Sequence, residues 1–105
     1  VYQHSIEFLA FARRLLQRIP RGHGDLADQL RRAAQSTPQN IAEGAGKTTR
    51  ADKAKHYTIA RGSAMECAAH LDVMRIEELI DDEHYGRGLE LLERVVAMLT
   101  KMIDP

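Results

Sequence analysis

A proline sits inside an apolar pattern that does not stop for it. Leu26, Leu30, Ala33, Ala34, Thr37, Ile41 and Ala45 share one face at helical spacing, and Pro38 lies in the middle of that stretch, within the run STPQNIAEG at residues 36–44. Proline lacks a backbone donor and pushes against the carbonyl four residues earlier, here that of Ala34, at an intrinsic cost of about 3 kcal/mol. Because the stripe stays in phase on both sides, the pattern predicts one kinked helix rather than two. Ser36 and Thr37 supply hydroxyls that can satisfy backbone groups freed at the bend.

The rest of the chain supports helices around this one. Residues 2–19 carry one stripe of Ile6, Leu9, Leu16 and Ile19 and a second of Phe8, Phe11 and Leu15. That arc is wider than one neighbour needs, so the face with both phenylalanines predicts a second contact, with another subunit. Pro20 and the Arg-Gly-His-Gly turn end the first helix, and Asp25 is the expected N-cap of the second. Gly44 and Gly46 close helix two, and Thr49 with Asp52 forms a capping pair for helix three. In helix three Tyr57, Ala60, Ala64, Ala68 and Leu71 fall in line, and three alanines at four-residue steps predict a shallow groove. Asp81 or Asp82 starts helix four, whose stripe runs through Tyr85, Leu89, Leu92, Val95 or Val96, Leu99 and Ile103, with Gly86 and Gly88 weakening its first turns. Four helices with short connections predict an all-α, antiparallel up-and-down four-helix bundle, a single domain over residues 1–105.

Composition narrows the function classes. The lone cysteine, Cys67, can form no internal disulfide, which fits a reducing, cytoplasmic setting, and no apolar run approaches the roughly 20 residues of a membrane span. The net charge of zero conceals a division: residues 1–61 hold eleven Lys/Arg against five Asp/Glu, and residues 62–105 hold four against ten. Such asymmetry builds a basic face for polyanions, a surface that pairs with another copy, or two halves of one bundle that attract each other. The densest basic segment is Lys47, Arg50, Lys53, Lys55 and Arg61, opposed only by Asp52, and Arg13, Arg14, Arg18 and Arg21 form a second cluster.

Enzyme chemistry finds little purchase. A di-metal bundle needs two Glu-x-x-His motifs plus two inward glutamates; here His4 and Glu7 have the spacing reversed, and Glu66 with His70 is a four-residue step. The five histidines read as surface or boundary residues, and Cys67 as a small core residue with no base supplied by a motif. Gly44-Ala-Gly-Lys-Thr-Thr49 fails as a phosphate loop, because a helix precedes it and the first glycine is misplaced. It nevertheless brings cations to the start of helix three, where backbone donors favour an anion. No metal, cofactor or catalytic residue is expected.

On the wheel, Ser36, Asn40 and Glu43 form a polar row flanking the apolar face of helix two, and Ser63, Glu66 and His70 form one on helix three. If these flanks meet, they make a shared network, closed by Arg32 or Arg61, that fixes helix register. At this point the residues carry a resemblance. The run QLRRAAQSTPQNIAEGAGK at 29–47 resembles the most distinctive segment of the 23S rRNA-intervening-sequence family of four-helix-bundle proteins. The VYQ opening, IARGSAME at 59–66, IDDEHY before helix four and the KMI ending also resemble it. The resemblance implies a homo-oligomer, typically a barrel-like homopentamer. It also implies kinship with accessory proteins of diversity-generating retroelements, in which a basic pentamer works with a reverse transcriptase and nucleic acid. Arg31, Arg32, Ser36, Pro38, Asn40, Glu43, Gly44, Ser63 and Glu66 match the family motif. Lys53, His56 and Arg61 depart from it, replacing apolar residues and making the start of helix three more basic.

The expectation is a non-enzymatic oligomer that binds nucleic acid, with structured RNA favoured, through Arg31, Arg32, Lys47, Arg50, Lys53, Lys55 and Arg61. Recognition would be led by shape and charge, since Tyr57 is the only aromatic platform near the cluster. The alternative is an oligomeric protein–protein scaffold in which basic and acidic halves meet between subunits and no nucleic acid takes part.

Overall fold

A computed structural model describes all 105 residues. Four helices follow one another: α1 (Tyr2–Leu16), α2 (Gly24–Ala45), α3 (Arg50–Ile76) and α4 (Asp82–Ile103). α1 and α3 each pack against both α2 and α4, while neither diagonal pair approaches closely, so the chain is an antiparallel up-and-down bundle. The 27-residue α3 sets the long axis of a body measuring 44 × 21 × 19 Å.

The helix ends follow local chemistry. α1 stops at Leu16, three residues short of its predicted end, and tightens into a turn in which Arg18 N donates to Leu15 O and Ile19 N to Leu16 O. α2 begins at Gly24 with His23 in the cap position and no side-chain cap, so Asp25 lies within the first turn. There its carboxylate still complements the helix dipole. Thr49 caps α3 by accepting from Asp52 N at 3.1 Å, and Asp81 caps α4 by accepting from His84 N at 2.7 Å. α3 closes in a Schellman arrangement: Leu79 N donates to Met74 O and Glu78 N to Arg75 O, with Glu78 in the left-handed region at φ 60°.

α2 runs through Pro38 without interruption, and Pro38 itself is buried. Thr37 Oγ1 donates to Ala33 O at 3.1 Å and Asn40 Nδ2 to Ser36 O at 2.9 Å, so polar side chains on both sides of the proline serve the backbone there. The core is built on Phe8, Leu30, Leu71, Met74, Leu91 and Leu99. Phe8 and Phe11, predicted to face another subunit, are instead 2% and 7% exposed, with ring centroids 5.9 Å apart. The bundle interior absorbs them because both neighbours of α1 flank its broad arc. The unpartnered apolar face lies on α3: Ile59, Met65, Val73 and Ile76 are exposed on the side opposite Tyr57, Ala60, Ala64, Cys67, Leu71 and Met74, and Ile76 is 81% exposed. α3 is apolar on two opposite sides. Beside that stripe a groove of about 420 Å³ runs between α3 and α4, floored by Ala64, Ala68, Ala69 and Ala97 and walled by Leu89 and Val96.

Candidate functional site

Antiparallel topology gathers charge at one tip. The turn at residues 46–49 and the first two turns of α3 place Lys47, Arg50, Lys53 and Lys55 at one end of the bundle, while Lys101, next to Thr100 and so level with Arg61 three turns into α3, adds a fifth cation further back on α4. Lys101 was missed in the sequence because it lies 46 residues beyond Lys55; the up-and-down order is the signal that finds it. The five cations are not equivalent. Lys53 Nζ turns inward and donates to Ala45 O at 3.1 Å and Gly44 O at 3.4 Å, capping the C-terminus of α2. Lys47 pairs with Glu43 at 3.3 Å. Arg50, Lys55 and Lys101 are exposed and make no ion pair.

The remaining expected contacts lie elsewhere. Arg31 and Arg32 sit well back along α2, Arg32 about 20 Å of helix axis from the tip, and Arg31 is tied to Asp28 at 2.8 Å. Arg61 lies three turns into α3, half-buried, donating to Thr100 Oγ1 of α4 at 3.2 Å. Tyr57 is no stacking platform. Its ring is buried over Gly44, where an added Cβ would fall 2.6 Å from Cε1.

The two polar rows meet in part. Ser36 Oγ and Ser63 Oγ are 2.8 Å apart, and Asn40 Nδ2 donates to Ser36 Oγ at 3.1 Å, joining α2 to α3 by a hydroxyl pair backed by an amide. Glu43 and Glu66 point outward, Glu43 pairing with Lys47 of the turn that follows α2 and Glu66 with His70 of its own helix. Arg32 and Arg61 do not close the network: Arg32 is exposed and Arg61 is held by α4.

With the signature segment seen to build the α2–α3 junction, the comparisons with known proteins take on meaning. The family model described as 23S rRNA-intervening sequence protein matches residues 1–101. The chain belongs to that family. Among solved structures it is similar to a protein of unknown function from the S23 ribosomal protein family of Bacteroides thetaiotaomicron, with 23% identity, coverage of 99% of this chain and 98% of that one, and a TM-score of 0.92. At that identity the likeness speaks for the four-helix fold. Comparison with curated proteins found no match.

In this member of the 23S rRNA-intervening sequence protein family the one thiol is enclosed by the core. Cys67 is fully buried in α3, and burial, with Glu66 nearby, pushes its thiol up to about 12, far from thiolate chemistry at neutral pH. No three His, Cys, Asp or Glu side chains come close enough to share a metal ion, and no helix is long and apolar enough to cross a membrane. Tyr85 donates to Asp72 at 2.5 Å, which raises its phenol above the usual range, and Arg75 lies over its ring at 4.5 Å.

The division of charge is not neutralised inside the molecule. No salt bridge joins a Lys or Arg of residues 1–61 to an Asp or Glu of residues 62–105; the one pair between the halves, Arg87 with Glu7 at 2.8 Å, runs the other way. At the end opposite the basic tip, Arg14 and Arg18 of the α1 side face Asp82, Glu83 and His84 of α4 across an open cleft of about 950 Å³.

Proposed function

We propose that this protein is a non-enzymatic homo-oligomer that binds structured RNA through the basic tip formed by the 46–49 turn and its neighbouring helix ends. The observation that carries this reading is the exposed, unpaired state of Arg50 and Lys55 at one end of a bundle, with Lys101 likewise unpaired behind them on α4, in a molecule whose basic half makes no salt bridge to its acidic half. The outer apolar stripe of α3 supports self-association, and a closed ring of copies, five as the family resemblance implies, repeats the tip and multiplies its field. With Tyr57 buried, recognition rests on phosphate contact and shape rather than base stacking.

The test is a fluorescence-anisotropy titration of an RNA hairpin at low and moderate salt, with wild-type protein and an Arg50→Glu/Lys55→Glu variant. Lys53 is left intact because reversing it would also break the cap on α2. Binding that weakens steeply with salt and disappears in the variant is the expected result. Absence of binding at low salt sinks the RNA reading and leaves the alternative that the α3 stripe favours, an oligomeric protein–protein scaffold. Light scattering of a Met65→Glu/Val73→Glu variant examines the assembly separately: loss of the oligomer is expected under both readings.

A further inference from the structure

We propose that Arg18, His84 and Asp81 form a pH-sensitive latch that ties the end of α1 to the start of α4. Both ring nitrogens of His84 are engaged: Arg18 Nη1 lies 3.0 Å from Nε2, and Asp81 Oδ1 lies 2.8 Å from Nδ1 while also accepting from His84 N at 2.7 Å. A guanidinium carries donors only, so the contact with Nε2 requires a lone pair there. The proton of the neutral ring must then sit on Nδ1, which donates to Asp81. Asp81 fits the acceptor role, because the backbone N–H of His84 first, then its ring, lowers the carboxyl below its usual range. One tautomer of one protonation state satisfies the three groups together, with Phe11 of α1 stacked against the imidazole at 6.4 Å between centroids.

A second proton, on Nε2, leaves two donors and two cations facing each other at 3.0 Å. Arg18 must leave. From the α1 side, Arg14 and Arg18 both oppose the imidazolium; on the α4 side Asp81 and Glu83 favour it. The other charges at the cleft are already committed, Asp82 to Arg75 of α3 at 3.3 Å, Glu90 to Arg94 at 3.2 Å and Arg87 to Glu7 at 2.8 Å. Protonated His84 therefore stays with Asp81 and the latch parts on the α1 side. Arg18 sits in the turn that follows α1, where short i→i−3 bonds hold the backbone and Leu16 and Ile19 pack against the core, so the tie across to α4 adds to that anchoring at the exposed side of the turn.

The test is side-chain nitrogen NMR on the whole chain between pH 8 and pH 5. At pH 8 the expected state of His84 is the Nδ1–H tautomer, the less common one in free histidine, and Arg18→Gln returns it toward Nε2–H with helical circular dichroism unchanged. On acidification the His84 ring and the Arg18 guanidinium signals should move in one shared titration. Amide exchange at Arg18 and Ile19, the two amides held by i→i−3 bonds, should then rise relative to a pH-matched His84→Gln variant. An Nε2–H tautomer in the wild type at pH 8, or Arg18 signals that ignore the His84 titration, overturns the latch.

Discussion

The α2–α3 and α1–α4 junctions solve the same packing problem with opposite means. α2 and α3 bring together buried alanines, Ala33 and Ala34 on one helix and Ala60 and Ala64 on the other, with a serine pair between and Tyr57 lying over Gly44 at the tip. α1 and α4 meet through Phe11 over Gly88, then open into a cleft whose rim is tied by Arg87–Glu7 and Arg18–His84. Small side chains let two backbones close on each other. Where the contact is made by long charged side chains, the junction stays open and responds to pH and salt. The family's signature segment belongs to the first kind: its polar residues set how α2 meets α3, while the Arg87–Glu7 ion pair and the Arg18–His84 contact bridge the helices on the other side.

The same substitution in both junctions is the sharpest way to break this contrast. In Gly44→Ala the new Cβ meets the buried ring of Tyr57 at 2.6 and 2.9 Å and His56 Cβ at 3.2 Å. A rigid, enclosed ring cannot yield, so urea unfolding should show a loss of about 1–3 kcal/mol. In Gly88→Ala the Cβ meets the end of Leu71 at 2.7 Å and the ring edge of Phe11 at 3.0 Å. A leucine tip can turn, and replacing glycine inside a helix returns up to about 1 kcal/mol, so stability should stay within about 1 kcal/mol of wild type. Equal losses at the two glycines would mean that the α1–α4 junction is as tightly closed as the other.

A smaller effect separates the hydroxyl pair from simple packing. Ser36→Ala leaves Ser63 and Asn40 short of a partner in a half-buried site and should cost about 0.5–1.5 kcal/mol. Ser36→Ala/Ser63→Ala removes both hydroxyls and should cost less than the sum of the two single changes. Strict additivity, measured in the same urea series, would show that the 2.8 Å contact does not couple the helices.

Much of this was legible in the chain because helical periodicity and capping are local. The passage of α2 through Pro38, the Thr49 cap and the start of α4 each depend on residues within one or two turns, and each stands where the pattern placed it. Partners across the bundle were less legible. Phe8 and Phe11 read as surplus on a helix seen alone, but the arc is filled once α2 and α4 flank it. Lys53 counted as a free cation until α2 ended beside it with open carbonyls. The outer stripe of α3 was hidden because apolar residues on two opposite faces blur the periodic signal that either face would give alone. His84 carried no sequence signal, since its partner Arg18 is 66 positions away.

Salt makes the finest distinction between the two junctions. The Arg87–Glu7 pair has side chains about half exposed, 46% and 48%, and pairs of that kind contribute at most about 1 kcal/mol. A double-mutant cycle of Arg87→Ala and Glu7→Gln isolates the coupling from the further contact of Arg87 with Glu90. Urea, being uncharged, allows the cycle to be repeated at 0.1 M and 1 M salt, between which the screening length falls from about 10 Å to about 3 Å. The coupling should fade over that range while the Ser36→Ala cost stays constant, because hydroxyls carry no net charge to screen. A coupling that survives 1 M salt would place the pair in a drier setting than its exposure indicates. The cleft rim would then be closed, and the α1–α4 junction would resemble its counterpart more than its geometry now implies.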